Sequence, residues 1–294
     1  ATKGVTTVSP TWYKVTDAKG SISSMADWDY ISTVHDAGME IWPLISDFTS
    51  IDADAGWDEA KLFANTASRR NLISNIINEI KTYGYDGINI DFEKVPSDSA
   101  VDYRQFIREL SIECRKAGVV FSLDNYVPRP YNAQYSRDVQ AECADYVVVM
   151  GYDEHYAGGD EAGSVASIDF VTDGIDGTLK EVPKEKIINA LPFYTRLWME
   201  STDENGNVKL SSKTYSMQGA LDIVAELGTG MEWDEEVGQY VAFGEVDGVK
   251  YSIWLEEDES IKAKMKIVRE RELAGISGWC LGMEKPSVWD VITE

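Results

Sequence analysis

The stretch that decides the fold reads Tyr85-Asp86-Gly87-Ile88-Asn89-Ile90-Asp91-Phe92-Glu93. Side chains of a β-strand alternate between its two faces, so Asn89, Asp91 and Glu93 share one face. The opposite face is apolar throughout, and we expect it to pack beneath helices. A polar inner face that ends in an acid is typical of the C-terminal edge of a barrel strand, where barrel enzymes build their active sites. A helix cap or a calcium loop could use the same acids, but strand alternation suits either use badly.

Near-continuous apolar runs recur along the chain on both sides of this stretch, as in parallel strands buried on both faces. The predicted strands are residues 5–13, 40–46, 87–93, 119–126, 146–152, 187–194 and 275–281. Amphipathic stretches between them predict helices at 69–83, 100–117 and 260–273. This alternation over 294 residues favours an α/β fold, specifically a (β/α)8 TIM barrel. A closed barrel of this kind needs eight strands and seven are predicted, so we expect the missing strand either upstream of Ala1, as the first strand, or in a stretch assigned otherwise.

Residues 198–260 interrupt the alternation of strands and helices, because they are polar and contain short runs of alternating polar and apolar residues. Two of these runs are joined by Asp247-Gly248, which indicates a tight turn between antiparallel strands. We therefore predict a catalytic barrel formed by residues 1–197 and 261–294, with a small α+β insertion at 198–260 between strands 7 and 8.

The charge balance narrows the choice of partners. The chain has 51 Asp and Glu residues against 27 Lys and Arg, for a formal net charge of −24. Such a field repels nucleic acid and anionic membranes, so a neutral substrate is easier to reconcile. No run is apolar and long enough to predict membrane insertion, and three cysteines do not provide a disulfide framework. Because the chain enters a strand at once, we expect any targeting segment to lie upstream.

Residues 86–93 resemble the Asp-Gly-x-Asp-x-Asp-x-Glu signature of glycoside hydrolase family 18. Asn89 departs from it, because many chitinases have an aspartate there that tunes the middle acid, and this predicts an altered pH profile. Further similar stretches are residues 9–13, 150–155, 187–198 and 275–279. Together they resemble a bacterial subgroup of the family that includes the spore-cortex N-acetylglucosaminidases acting on peptidoglycan.

The resemblance implies retaining, substrate-assisted hydrolysis of β-1,4-linked N-acetylglucosamine, in which the enzyme supplies no nucleophile. Glu93 would be the acid and base, Asp91 would orient the acetamide group, and Tyr152 would hydrogen-bond the acetamide oxygen. The predicted substrate-binding residues are Asn89, Asp153, Trp279, Tyr194, Arg196 and Trp12. No metal or organic cofactor is implied.

The implied partner is an N-acetylated polysaccharide, with peptidoglycan favoured over chitin. A wall-degrading enzyme has to reach the wall, so we expect an extracellular, cell-wall or spore-associated protein, and we expect a monomer. Three alternatives stay open: a chitinase-like hydrolase of chitin oligomers, a non-catalytic sugar-binding module, and a metal-dependent barrel hydrolase. The second is disfavoured because the chain keeps Glu93. The third would use Asp91, Glu93, Asp153 and His155, although His155 is better explained as a hydrogen-bonding residue.

For some side chains the sequence leaves two possible roles open. Trp279 would stack on a sugar ring or pack in the core, and Arg196 would bind a sugar or pair with the acidic insertion. Alternate residues of the strand at 119–126 face the same side, so either Asp124 and Tyr126 or Asn125 belongs to the site. The acidic run at 256–259 is expected to be a solvated surface leading into a helix.

Overall fold

The computed structural model describes residues 3–47 and 58–294. The chain divides into two compact units. The first consists mainly of Val5–Val149 with Thr178–Ile187, and the second mainly of Met150–Gly177 with Ile188–Glu294.

The first unit is built on a sheet whose central strands are parallel. Its strands are β1 (Thr7–Val8), β2 (Thr11–Val15), β3 (Ile22–Ser24), β4 (Glu40–Ile41), β5 (Leu44–Ser46), β6 (Gly87–Asp91), β7 (Val120–Tyr126) and β8 (Tyr146–Met150). The order β2, β5, β6, β7, β8 follows the chain, β3 lies antiparallel to β2, and β1 pairs with β4. The first two predicted strands are each interrupted, at Pro10 and at Pro43, because proline has no N–H to donate to a ladder.

The helices of the first unit include the two that the sequence predicts there, although α3 begins three residues earlier than predicted. They are α1 (Trp28–Asp36), α2 (Glu59–Ala64), α3 (Thr66–Tyr83), α4 (Ala100–Ala117) and α5 (Arg137–Cys143). The Asn65 side chain caps α3 by accepting from two backbone N–H groups. Gly84 and Gly118 end α3 and α4 with φ of 67° and 73°, a conformation that glycine adopts without steric cost. The helices predicted at 69–83 and 100–117 are thus confirmed.

The apolar face of β6 lies in the core of the first unit, as predicted. Ile88, Ile90 and Phe92 are all buried. The ring of Phe92 packs against Phe106 of α4 and Phe63 of α2, with centroids 5.7 and 6.1 Å apart. This packing fixes the strand's orientation, so the polar side chains of β6 must point to its other face.

The second unit combines two parallel strands with an antiparallel sheet. Its elements are α6 (Ile168–Thr178), β9 (Ile187–Pro192), β10 (Tyr194–Thr202), β11 (Val208–Ser216), α7 (Met217–Glu226), β12 (Glu232–Asp234), β13 (Gln239–Val246), β14 (Val249–Leu255), α8 (Asp258–Glu270), β15 (Gly275–Trp279) and α9 (Val288–Thr293). Strand β9 is parallel to β15, and the antiparallel sheet has the order β11-β10-β14-β13-β12. In residues 3–47 and 58–294, no helix has both the length and the apolar character needed to cross a membrane.

The predicted hairpin is present between β13 and β14. Its two turn residues, Asp247 and Gly248, have φ of 52° and 76°, as a two-residue turn matched to strand twist requires. The antiparallel sheet begins at Tyr194, earlier than the predicted insertion. The boundaries of the barrel and of the insertion at 198–260 stay a prediction.

The prediction that residues 256–259 form a solvated surface leading into a helix is wrong for Glu256 and Glu257, which are buried, whereas Glu259 is exposed in the first turn of α8. Glu256 is 0% exposed, and Lys264 of α8 is equally enclosed. The Lys264 ammonium lies 2.8 and 2.9 Å from the two carboxylate oxygens of Glu256, and Ser260 and Gln239 donate to the same carboxylate at 2.7 Å. The side chain of Glu257 caps α8. The run is therefore a buried ion pair and a helix cap, because its counter-charge lies two turns further along the helix.

Candidate active site

Side-chain hydrogen bonds connect β6 and the residues that follow it to β7 on the polar face. The strand register pairs Asn89 with Ser122 and Ile90 with Leu123. Continuing it along parallel strands places Asp124 beside Asp91 and Tyr126 beside Glu93. The Ser122 hydroxyl donates to Asn89 Oδ1 at 2.7 Å, and the Tyr126 hydroxyl donates to Glu93 Oε2. These contacts decide which face of β7 belongs to the site. It is the face that carries Asp124 and Tyr126, and not the one that carries Asn125.

Asn125 points the opposite way and exchanges two hydrogen bonds with Gln140 of α5, at 2.6 and 2.9 Å. This buried amide pair locks the orientation of β7. Both polar atoms of the Asn89 side chain have a partner within the protein, because Nδ2 donates to Asp124 Oδ2 at 2.7 Å while Oδ1 accepts from Ser122. These contacts favour a positioning role for Asn89 over direct sugar binding.

Asp47, which sequence reasoning missed, holds the backbone at the end of β6. It follows β5 directly and is buried. Its two oxygens accept from the backbone N–H groups of Glu93 and Lys94 at 3.0 and 2.8 Å. An acid placed directly after an apolar strand was the signal available in the sequence. These two hydrogen bonds orient the backbone at Glu93 and leave its carboxyl group out of the contact.

One carboxyl oxygen of Asp91 is buried without a hydrogen bond. This oxygen, Oδ1, has no hydrogen-bond partner among residues 3–47 and 58–294. The register partner of Asp91 on β5 is Ser46, whose hydroxyl is also buried and has no such partner. Buried polar atoms are nearly always hydrogen-bonded, so these two neighbouring atoms are exceptions, and no hydrogen bond to a described residue fixes the enclosed side of the Asp91 carboxyl.

The crowding of carboxyl groups changes their acidity. Removal from water, together with the charges of Asp124, Glu93 and Asp47, raises the pKa of Asp91 to about 9. Desolvation also raises the pKa of Asp124 to about 7, against the lowering effect of the Asn89 hydrogen bond. The pKa of Asp47 rises to about 6, because desolvation outweighs the two backbone hydrogen bonds. An acid that holds a proton near neutral pH can donate a hydrogen bond where an ordinary carboxylate only accepts.

The raised pKa of Asp91 predicts a pH-dependent stability. Between about pH 4 and about pH 9 the folded state binds a proton that the unfolded chain releases, so the stability present below that window is lost as the pH rises through it. We expect Asp91→Asn to be more stable than wild type at pH 8, by a margin that shrinks towards pH 4. Urea unfolding from pH 4 to 9 measures this, with exposed Asp138→Asn as the control. A stability difference that does not vary with pH would contradict the prediction.

A second group of predicted residues comes together within the second unit. The Tyr194 hydroxyl donates to Asp153 Oδ1 at 2.7 Å, and Arg196 Nη2 reaches the same oxygen at 3.3 Å. Arg196 also donates to Thr214 of β11 at 3.1 Å. Asp153 has φ of 58°, which aspartate tolerates better than most residues. The ion-pair partner of Arg196 is therefore Asp153, and not the acidic insertion.

Three further side chains of the second unit have distinct settings. The Tyr152 ring packs edge-on against Tyr194 with centroids 6.2 Å apart. Trp279, at the end of β15, is 41% exposed, which favours a stacking platform over core packing. His155 Nδ1 lies 2.9 Å from the backbone oxygen of Ser164. In the described part of the chain, no three or more His, Cys, Asp or Glu side chains are grouped to hold a metal ion.

Two other predicted positions lie away from Glu93. The Trp12 ring packs against Tyr30 and Tyr85, and Tyr85 precedes β6 whereas Glu93 follows it. The structure does not bring Trp12 together with the carboxyl groups, so its predicted role in sugar binding gains no support. Asp86 accepts from the backbone N–H of Ile41 and contacts His35 at 3.0 Å. The first acid of the motif is thus a structural residue at the entry to β6.

Comparisons with known proteins agree with this geometry. The family described as Glycosyl hydrolases family 18 matches residues 52–284. A cortical fragment-lytic enzyme of Bacillus subtilis is 27% identical over 256 residues, which are 84% of this chain and 58% of that protein. The chain therefore spans less than two thirds of that relative's length.

Solved structures show the same fold. A chitinase from Chromobacterium violaceum superposes with a TM-score of 0.85 at 23% identity, over 98% of this chain and 90% of that one. The spore cortex-lytic enzyme SleL of Bacillus megaterium superposes with a TM-score of 0.85 at 20% identity, over 98% of this chain and 66% of that one.

These similarities confirm the predicted α/β fold of the TIM-barrel chitinases. The family match covers most of the chain, including the motif at 86–93. The predicted glycosidase class is confirmed with it: the chain belongs to glycosyl hydrolase family 18.

Proposed function

We propose that the protein hydrolyses β-1,4-linked N-acetylglucosamine in bacterial peptidoglycan by substrate-assisted catalysis with retention of configuration. The observation that carries the proposal is the carboxyl group of Asp91, which lies on the same strand face as Glu93 and whose pKa is raised to about 9 by desolvation and by neighbouring carboxyl groups. That arrangement provides an acid for the leaving group and a second, proton-holding carboxyl for the acetamide group of the same sugar.

The reaction begins when Glu93 protonates the glycosidic oxygen and the bond from that oxygen to the anomeric carbon breaks. The acetamide carbonyl oxygen of the same sugar attacks the anomeric carbon and forms an oxazolinium ion. Asp91 accepts the acetamide N–H and stabilises the positive charge that develops there. Glu93, now ionised, removes a proton from water as the water opens the ring, so both steps use one residue in two protonation states.

Neighbouring groups hold Glu93 ready for both steps. Asp47 fixes its backbone, and the Tyr126 hydroxyl orients its carboxyl group. A catalytic side chain positioned in this way loses little freedom when substrate binds, which is a major source of rate acceleration. Partial desolvation of Tyr126, which is 38% exposed, and the charge of Glu93 raise the pKa of the Tyr126 phenol, so Tyr126 remains a hydrogen-bond donor throughout the cycle.

Residues of the second unit are proposed as sugar contacts on the family resemblance. Tyr152 would donate to the acetamide oxygen, and Asp153 would contact the same sugar. Tyr194 and Arg196 hold Asp153 through the two contacts to its Oδ1. Trp279 would stack on a pyranose face, since its ring is exposed.

Peptidoglycan is proposed over chitin because the relatives include cortical fragment-lytic enzymes of three Bacillus species. Class V chitinases of plants are also similar, at 24% identity over 81% of this chain for the Lotus japonicus enzyme, and they make chitin oligomers the second candidate. An enzyme that acts on the wall or cortex would work outside the cytoplasm, at the cell wall or in the spore.

The test compares purified spore-cortex peptidoglycan with chitin oligomers, each beside its de-N-acetylated counterpart. We expect cleavage only next to N-acetylated sugars, because the acetamide is the nucleophile, with a drop of about a hundredfold or more on the de-N-acetylated polymer. Mass spectrometry identifies the products, and NMR of the first-formed anomer reports retention. Faster cleavage of chitin would assign the enzyme to chitin, and equal cleavage of the de-N-acetylated polymers would contradict the mechanism.

A further inference from the structure

Asp124 lies beside the predicted catalytic pair, although no part of the motif at 86–93 contains it. Adjacent strands of a sheet are about 4.8 Å apart, so register neighbours such as Asp91 and Asp124 have their carboxyl groups within reach of each other. Asp124 Oδ2 accepts from Asn89, and Asn89 is itself fixed by Ser122. The Asp124 carboxyl is therefore held in one orientation by a chain of two hydrogen bonds.

Several described groups of the first unit act electrostatically on this pair, and they are acidic or phenolic. They include Glu93 after β6, Asp47 after β5, Tyr103 on α4, and Tyr135 before α5. Tyr126 of β7 interacts with Glu93 and Asp47. None of these five neighbours can supply a positive charge. Closely placed carboxyl groups disfavour the ionisation of one another, so two such neighbours titrate as a pair and can share a proton.

We propose that Asp124 is a positioning residue that shares one proton with Asp91, and that Asn89 holds Asp124 for this purpose. Asn89 donates to Asp124 and thereby favours its ionised form, so the shared proton resides mainly on Asp91. When positive charge develops on the acetamide group, the proton passes from Asp91 to Asp124, and Asp91 becomes the carboxylate that the charge requires. No proton enters or leaves the pair. The inference rests on the proposed function and assigns Asp124 as the residue that controls the protonation state of Asp91.

The experiment measures the rate of hydrolysis together with its pH dependence, which reports the shared proton. Asp124→Asn keeps the shape of the side chain and removes its charge. We expect kcat to fall by about tenfold or more, with the alkaline limb of the pH profile of kcat/KM displaced to lower pH by about one unit. The double variant Asn89→Asp/Asp124→Asn returns a carboxyl group to the neighbouring position, and we expect it to recover most of the lost rate. Asp138→Asn is the matched control for an exposed aspartate.

Carbon-13 carboxyl NMR titration provides a readout that does not need turnover. In wild type, one aspartate should titrate well above pH 7, and Asp124→Asn should move that titration to lower pH. An unchanged rate and pH profile in Asp124→Asn would overturn the proposal. So would a rate loss that accompanies thermal destabilisation, leaves the titration in place and is not rescued by the double variant. If wild type cleaves none of the polymers, the proposed function fails, yet the titration still decides whether the two aspartates share a proton.

Discussion

Glu93→Gln should lower kcat by about three orders of magnitude on whichever N-acetylated polymer the wild type cleaves. The glutamine cannot protonate the leaving oxygen or accept a proton from water, and each role contributes about 10²–10⁴ in rate. The fold should tolerate the change. A glutamine oxygen can still accept from the Tyr126 hydroxyl, and the contact of Asp47 to residue 93 involves only backbone.

Glu40→Gln is a matched control for this variant, because Glu40 also accepts a hydrogen bond from an aromatic side chain, that of Trp42 at 2.9 Å. It should keep wild-type activity. Initial rates at several substrate concentrations separate kcat from KM, and KM should change little because Glu93 acts mainly in the transition state. A Glu93→Gln enzyme with more than a tenth of the wild-type rate would remove Glu93 from its proposed role.

Lys264→Met should destabilise the protein by about 3–5 kcal/mol, because it leaves a buried carboxylate without its cation. Glu256 and Lys264 are 0% and 1% exposed in their side chains, so water cannot replace the lost partner. Burial already raises the pKa of Glu256, with Lys264 opposing that rise. The destabilisation should therefore diminish as the pH falls and Glu256 takes up a proton.

The double variant Lys264→Met/Glu256→Gln is the control, since removing both charges leaves no unpaired ion. The glutamine introduced at position 256 could still accept from Ser260 and Gln239, so most of the lost stability should return. Urea unfolding of wild type and both variants measures the three free energies. A loss below about 1 kcal/mol for Lys264→Met would show that the pair contributes no more than an exposed salt bridge.

Much of the fold was predictable because the relevant signals are local. The helices at 69–83 and 100–117 end at glycines with positive φ, and the hairpin turns at Asp247-Gly248. Each of the predicted strands contains an observed strand, although prolines divide the first two. The antiparallel strand β3 was not predicted, because its three residues, Ile22–Ser24, carry almost no alternation.

The sequence alone also determined the central feature of the site. Alternation along one strand places Asn89, Asp91 and Glu93 on a common face, and the burial of the intervening apolar residues on helices enforces it. This holds for any fold in which the stretch is a strand, because the period of two is a property of the extended backbone.

Only the tertiary structure decided which residues surround that face. The parity of β7 depends on the amide pair of Asn125 with Gln140, and Asp47 reaches Glu93 across 46 residues of chain. The acidic residue Glu256 is buried because Lys264 and Gln239 meet it there. The periodicity of the sequence shows which side chains of a strand share a face. Which residues that face contacts depends on strand register and on packing between segments that are distant in the chain, and no local sequence pattern encodes either.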